Sequence, residues 1–327
     1  MKRKVLIYTE SWPASAPFRI ADRAWDDFPC VLCEIEQDGQ TGRGEALGVY
    51  YRDETATSMA RQLRDISRAL AGGANREELF DLLPPGGARC AADCALWDLE
   101  AQLSGISAWE TAGVTAAPVA TVFTIGLEDS PGEMAAKAIA AADLTLFKVK
   151  LNNDRPVERV AAIRAARPDA CLIVDVNQGW TFDELRKFGP ELHDLGVLMI
   201  EQPLPRGADQ PLEAYTSQTP LCADESCLHL EDLDDAARRY EVINIKLDKT
   251  GGLTHALELA RAASKRDLGL MVGCMGGTSL SMAPSHVLAQ LCDFVDIDGP
   301  LLLAKDREGG LVYDRGMVSL PASRFWG

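Results

Sequence analysis

An α/β fold, a (β/α)8-type (TIM-like) barrel behind a smaller N-terminal α+β capping domain, is what this sequence predicts. Three observations predict it. Eight short apolar runs recur about 25 residues apart from Val119 onward, the period of a strand-then-helix repeat. Stretches with helical periodicity, such as Val157–Ala166 and Leu253–Ala263, fill the gaps. Before Val119 the order differs: strand-like segments come first and helical ones follow, which reads as a separate α+β unit.

The elements follow in order. Residues 3–10 and 29–45 read as strands, the second bent into a hairpin at Asp38-Gly39. Residues 53–71 and 87–104 read as helices; in the latter, Ala91, Cys94, Ala95, Leu96, Leu99 and Leu103 share a face. The eight apolar runs are Thr121–Gly126, Leu146–Lys150, Cys171–Val176, Val197–Glu201, Leu221–Asp224, Val242–Lys246, Leu268–Val272 and Phe294–Ile297. An open doubly wound sheet is the competing arrangement, but no Gly-x-Gly-x-x-Gly follows an early strand. The expected division is 1–115 for the capping domain, completed by the tail 305–327, and 116–304 for the barrel.

The chain has 327 residues, of which 47% are hydrophobic and 25% charged, an ordinary globular balance. At this length a core needs no covalent staples. The nine cysteines are an odd number set mostly among apolar residues, so they are expected to be buried thiols in a reducing compartment. Cys30 and Cys33 are spaced as a CxxC but lie on a strand, which sends them to opposite faces, and no second pair accompanies them. The apolar segment after Met-Lys-Arg-Lys is too short for a secretory core, and no run is long enough to span a bilayer. A cytoplasmic protein is expected. The net charge of −16 argues against nucleic acid and anionic membranes as partners. Oligomeric state stays open, a homo-oligomer included.

In a barrel the chemistry lies at the C-terminal ends of the strands. Six of the eight runs end there in charge: Lys148-Val149-Lys150, Asp175-Val176-Asn177, Glu201-Gln202, Asp224-Glu225, Asn244-Ile245-Lys246 and Asp296-Ile297-Asp298. Asp175, Glu201 and Asp224 come from consecutive strands about 4.8 Å apart, so their carboxylates converge and repel. A hard divalent cation relieves that repulsion, and an oxygen-only set suits Mg2+; salt bridges to neighbouring lysines are the alternative. Lys148 and Lys150 share one strand face, and as adjacent ammonium groups each is expected to lower the other's pKa toward that of a usable base. Lys246 lies four strands further round. Two bases on opposite sides of one carbon are what stereochemical inversion requires; a role as counter-charges is the plainer possibility. The four histidines end no strand and are expected to be structural or solvated.

The set Lys-x-Lys, Asp-x-Asn, Glu-Gln-Pro, Asp-Glu-Ser and Asn-Ile-Lys, spread over five strands, resembles the enolase superfamily in its muconate-lactonizing-enzyme-like branch. Gly87-Ala88-Arg89 and Cys94–Leu99 of the first unit share in that likeness, as do Leu247–Gly252 and Gly273-Cys274-Met275 of the barrel. Within the branch, Phe294-Val295-Asp296-Ile297-Asp298-Gly299-Pro300 resembles dipeptide epimerases of the L-Ala-D/L-Glu type, and with them an isomerase acting on peptidoglycan peptides. The resemblance implies catalytic Lys150 and Lys246, Lys148 beside the substrate's carboxylate, Mg2+ on Asp175, Glu201 and Asp224, and Asp296 with Asp298 on the dipeptide's ammonium group. It also implies that loops near Ala16–Phe28 and Leu47–Arg52 help to select the substrate. There, Arg19 or Arg23 either pairs with a side-chain carboxylate or is an ordinary surface arginine, and Trp25 favours an apolar side chain instead. Thr124 on the first barrel run faces the mouth. Glu225 reads as a support to the site and Lys249 as a rim residue.

Rival readings are another enzyme of the branch (a cycloisomerase, o-succinylbenzoate synthase or N-acylamino acid racemase) and a noncatalytic metal- or metabolite-binding barrel. The Asp296/Asp298 pair argues against the first group, whose substrates carry no free ammonium group, and the intact Lys150 and Lys246 against the second. No Gly-x-Ser-x-Gly supports a hydrolase.

Overall fold

The computed structural model describes residues 3–20, 23–321 and 325–327. The N-terminal unit is an antiparallel sheet, β1 (Lys4–Arg19), β2 (Ala24–Gln37) and β3 (Gln40–Ala46), in that spatial order. Asp38 and Gly39 make the β2–β3 turn with φ of 53° and 82°, the double positive φ that a tight two-residue hairpin demands. The helices Ala56–Gly72 and Gly87–Ser104 pack on this sheet. The second lies so close that a Cβ built on Gly42 or Gly44 stands 2.1 Å from the carbonyl oxygens of Ala95 and Ala91. Only glycine at those two β3 positions lets the helix backbone settle onto the strand. Of the apolar set expected on that helix, five residues are buried, whereas Leu103 is exposed.

The stretch Ala16–Phe28, expected as a loop, is instead the tip of a long hairpin. β1 and β2 stay paired as far as Arg19 opposite Ala24, past a register shift between Pro13 and Phe18. Phe18 faces Trp25 across the ladder with ring centroids 6.1 Å apart, a cross-strand aromatic pair that extends the sheet. Residues 21 and 22 at the tip lie outside the described residues. In Leu47–Arg52, Tyr50–Arg52 form a 3-10 turn.

After β4 (Val119–Ala120) come the barrel strands β5 (Phe123–Ile125), β6 (Leu146–Lys150), β7 (Cys171–Asp175), β8 (Val197–Glu201), β9 (Leu221–Ala223), β10 (Val242–Lys246), β11 (Gly269–Gly273) and β12 (Phe294–Val295). They form one eight-stranded sheet in sequence order, with every described ladder parallel. The ring closes where Val122 N donates to Val295 O at 2.9 Å. A last pair, β13 (Val312–Asp314) and β14 (Met317–Ser319), adds to β4. The C-terminus then returns to the first unit. Trp326 Nε1 donates to the carbonyls of Arg43 and Cys94, and Gly327 N to Asp98 Oδ1.

Period-2 alternation sorts the barrel residues. Val122, Ile173, Met199, Cys222, Val242 and Met271 point inward and form a sealed apolar plug. Residues between them on the strands, such as Val149, Val174, Ile200, Ile243 and Val272, face the helices in the main core. Two positions further along from the plug, toward the carboxyl ends, the inward side chains are all polar except Gly273 on β11. All nine cysteines are free; Cys171 is exposed, contrary to the expectation of burial, because it opens β7 at the rim opposite the site.

Candidate active site

The step from plug to polar layer follows from strand register alone. Lys150 stands opposite Asp175, and Asp175 opposite Glu201, so side chains from neighbouring strands meet at one level. Lys148 Nζ lies 3.1 Å from Asp175 Oδ2, 2.8 Å from Glu201 Oε2 and 2.7 Å from Asp296 Oδ2. Lys150 Nζ lies 2.6 Å from Asp175 Oδ2, and Lys246 Nζ 2.6 Å from Asp224 Oδ2. All of these residues are buried. The backbone is strained beside them: Asn177, Gln178 and Gln202, at the ends of β7 and β8, have φ of 45°, 68° and 35°. Non-glycine residues in that region concentrate at functional sites.

Six carboxylates (Asp175, Glu201, Asp224, Glu225, Asp296, Asp298) face three lysines (148, 150, 246) at this rim, with Lys249 buried behind Asp224, a formal excess of two negative charges. The electrostatics follow from that excess. Burial alone would raise Asp175, but Lys150 and Lys148 overcome it and hold the carboxyl well below the usual range. Asp224 is likewise held low, its burial outweighed by Lys246 and Lys249. Two acids go the other way, because burial and a neighbouring carboxylate outweigh the lysines near them. Burial, with Asp175 beside it, pushes Glu201 up to about 7, and burial with Asp224 beside it pushes Glu225 up to about 8. Burial should also lower the lysines, yet Asp296, Glu201 and Asp175 raise Lys148 well above its ordinary value, and Asp224 does the same for Lys246. This corrects the expectation of a lowered pKa for Lys148: the carboxylates around it outweigh both its burial and any lysine–lysine repulsion.

Lys249 is not at the rim. It is fully buried on the single helical turn Leu247–Thr250, which follows β10 and packs against the helix Gly87–Ser104. Its Nζ donates to Asp224 Oδ1 and Asp224 O, both at 2.7 Å, and to the carbonyls of Cys227 and Asn244. Sequence reasoning passed over Asn244, whose Nδ2 donates to Glu201 Oε1 at 2.7 Å; its place two residues before Lys246 on an inward face was the available signal. Gln202 was also passed over. Its Oε1 accepts from the backbone N of Asp224 and of Ser226, which pins the end of β9.

Asp296 and Asp298 lie just beyond the short strand β12. Asp298 Oδ2 accepts from Thr124 N at 2.6 Å, and burial with Asp296 close by pushes it up to about 7. Asp296 Oδ2 accepts from Lys148, while its Oδ1 is buried with no donor among the described residues. Carboxylate oxygens of the two lie within 4.8 Å of each other and of Cys274 Sγ.

These groups open into a cleft of about 550 Å3 between barrel and cap. Lys148, Lys150, Lys246, Asp296, Asp298 and Thr124 form its floor and walls, with Phe18, Trp25, Phe28 and Tyr50 as an aromatic roof. Arg19 does not line it. Its guanidinium is half exposed and paired with Asp129 at 3.0 Å. Arg23 lies over the Tyr50 ring at 4.8 Å and the Trp25 ring at 5.8 Å, at the edge of the roof. The structure therefore brings together the expected site residues except Arg19 and Arg23, the latter exposed and outside the cleft lining. The histidines stay outside it, His286 for instance accepting from Trp109 Nε1 in the core.

The donor set fits a hard divalent cation. Glu201 Oε2 and Glu225 Oε2 are buried oxygens with no hydrogen-bond donor among the described residues. Lys148 stands within ion-pair distance of the first but out of line for a hydrogen bond. The ligand atoms are oxygens, and the excess charge matches one dication.

Fold and site together define a barrel enzyme of acid–base chemistry, with paired lysines and a carboxylate ring beneath a cap. Residues 132–324 match the family described as "Enolase C-terminal domain-like", and residues 2–113 the "Mandelate racemase / muconate lactonizing enzyme, N-terminal domain". The chain belongs to this family. It is 41% identical over 320 residues to the L-Ala-D/L-Glu epimerase of Escherichia coli (strain K12), covering 97% of this chain and 100% of the relative. It is 41% identical over 288 residues to an N-acetyl-D-glutamate racemase of a Pseudoalteromonas species, covering 88% and 91%. Among solved structures, an enolase family member from Agrobacterium tumefaciens with homology to dipeptide epimerases, holding sodium and L-Ala-L-Glu with an ordered loop, superposes with a TM-score of 0.97. It is 41% identical, over 99% of this chain and 100% of that one.

Proposed function

We propose that this protein is a dipeptide epimerase that inverts the α-carbon of the C-terminal residue of a dipeptide, L-Ala-D/L-Glu first among them, by Mg2+-assisted two-base proton transfer. One observation carries the reading. Lys150 and Lys246 stand on strands four apart in the ring and reach into the same cleft, whose wall carries the Asp296–Asp298 pair.

Asp175, Glu201 and Asp224 are the residues that would hold Mg2+. When bound there, the ion supplies fixed positive charge beside the substrate's terminal carboxylate, where negative charge grows as the α-proton leaves. Lys148 adds a second positive charge at that carboxylate. Of Lys150 and Lys246, one takes the α-proton and the other returns a proton to the opposite face; reversing the roles serves the opposite epimer. Asp224 keeps Lys246 in the protonated form that the donor role needs. Asp296 and Asp298 accept from the substrate's ammonium group, each charge-assisted bond contributing roughly 1.5–3 kcal/mol in a dry site. Arg23 at the edge of the roof pairs with the side-chain carboxylate, and Trp25 covers the methylenes beneath it; Thr124 fixes Asp298 through its N–H.

A second reading, racemisation of an N-acylated amino acid, draws on the Pseudoalteromonas relative. The Asp296–Asp298 pair favours the dipeptide, because an acylated nitrogen carries no charge for it to hold. A place in the cytoplasmic metabolism of peptidoglycan peptides goes with the first reading. Small molecules are then the partners, with nucleic acid disfavoured by the net charge of −16. No described helix is long and apolar enough to cross a membrane. The test is incubation with Mg2+ in D2O of a panel of L,L-dipeptides and N-acetyl-glutamate, followed by NMR and mass spectrometry. Deuterium uptake at the C-terminal α-carbon with D-epimer formation, abolished by EDTA, is the expected result. Exchange confined to N-acetyl-glutamate would replace the first reading with the second.

A further inference from the structure

Each of the three carboxylates assigned to Mg2+ has one oxygen already engaged by a fixed donor. Asp175 Oδ1 accepts from Asn177 N at 2.9 Å, Glu201 Oε1 from Asn244 Nδ2 at 2.7 Å and Asp224 Oδ1 from Lys249 Nζ at 2.7 Å. The other oxygens, Asp175 Oδ2, Glu201 Oε2 and Asp224 Oδ2, face the lysine heads in the cleft. Two of the three fixed donors come from one short segment, the end of β10 and the turn after it. Neither is adventitious. Lys249 spends its donors on Asp224 and on three backbone carbonyls, of Asp224, Cys227 and Asn244, so its head is clamped by main chain as well as by the acid. Asn244 lies across β11 where that strand has Gly273: a Cβ there would stand 2.6 Å from Asn244 Oδ1 and 2.8 Å from Nδ2. Any larger residue pushes the amide off Glu201.

We propose that Lys249 and Asn244 are positioning residues that select which oxygen of Asp224 and Glu201 is offered to the cation, with Gly273 as the space that admits Asn244. The inference rests on the Mg2+ assignment above. By locking one oxygen of each acid, the pair fixes the carboxylate planes before the cation arrives, and outer partners of this sort typically change metal affinity by about 10–100-fold. Lys249 is thus a structural cation, not a third base: its Nζ is enclosed by four acceptors and does not line the cleft.

Calorimetric titration of the full chain with MgCl2 tests this. Lys249→Met and Gly273→Ala should each raise the Mg2+ dissociation constant by about 10–100-fold, while most of kcat returns at saturating Mg2+. Arg89→Met is the control, since Arg89 holds the carbonyls of Thr250 and Gly251 in the same turn but touches no carboxylate of the site. It should lower the melting temperature and leave Mg2+ affinity unchanged. Unchanged affinity in Lys249→Met and Gly273→Ala, or an equal loss in Arg89→Met, overturns the proposal. If Lys249→Met does not fold, Gly273→Ala together with Asn244→Ser decides by the same criterion. A wild-type chain that binds no Mg2+ defeats the metal assignment itself, an outcome distinct from wild-type binding with unaffected variants.

Discussion

Replacing Asp298 by Asn should stabilise the folded chain near pH 8 and weaken it as an enzyme. Asp298 is buried, close to a second carboxylate, and its pKa is pushed from 3.8 to about 7. The folded value lies above the unfolded one. The destabilisation is therefore absent below about pH 4, grows as pH rises through the interval, and is complete above about pH 7. At 1.36 kcal/mol per pH unit its ceiling is about 4 kcal/mol. Asn still accepts from Thr124 N through its side-chain oxygen and turns its amide toward Asp296, so it keeps the packing and loses the repulsion. Urea unfolding at pH 5 and pH 8 should show a gain of about 1–3 kcal/mol at pH 8 and a much smaller one at pH 5. The same change removes one of the two acceptors proposed for the substrate's ammonium group. A loss of about 1.5–3 kcal/mol corresponds to a KM for L-Ala-L-Glu raised roughly 10- to 150-fold, followed by NMR of epimer formation with kcat less affected. Lower stability at pH 8, or an unchanged KM, would refute the reasoning, since each depends on Asp298 being an ionised neighbour of Asp296 in the cleft.

Other consequences are simpler. EDTA should abolish turnover, and restoring Mg2+ at about 100 times its Kd should add roughly 2.7 kcal/mol of stability, read as a rise in melting temperature; a melting curve indifferent to Mg2+ would contradict the assignment of Asp175, Glu201 and Asp224. Arg23→Ala should raise KM for L-Ala-L-Glu about tenfold, the order of one charge-assisted bond, and leave dipeptides with an apolar second residue unaffected. Arg19→Ala should change neither, because Arg19 is already paired with Asp129. Gly44→Ala puts a Cβ 2.1 Å from the Ala91 carbonyl oxygen and should lose at least about 1–3 kcal/mol in urea unfolding.

Most of the site was legible because a parallel barrel converts sequence spacing directly into geometry. Lys148 and Lys150, or Asn244 and Lys246, are two apart on strands and must share the inward face, and the charged ends of consecutive runs must meet at one rim. What was not legible depends on contacts made after the strands end. Lys249 looked like a rim residue because sequence shows that it follows a strand, not that its head is drawn in onto Asp224 and the carbonyls of Cys227 and Asn244. The raised pKa of Lys148 reflects how many acids surround it, which no single strand records. The Ala16–Phe28 hairpin tip was missed because Pro13 and Pro17 interrupt the alternation of a strand, while cross-strand packing of Phe18 on Trp25 restores the pairing. Arg19 and Arg23 are indistinguishable in sequence, and only the position of Asp129 separates them.

The most direct test of two-base inversion is to start from L-Ala-L-Glu and L-Ala-D-Glu separately in D2O, with Lys150→Ala and Lys246→Ala. Each variant should lose epimerisation by about 10²–10⁴-fold, the usual contribution of a positioned acid or base. Each should still exchange the α-proton of one epimer, and the two variants should retain opposite ones. Loss of exchange from both epimers in one variant, with the other unaffected, would mean that a single lysine handles both faces, and the account of Lys150 and Lys246 as opposed bases would be wrong.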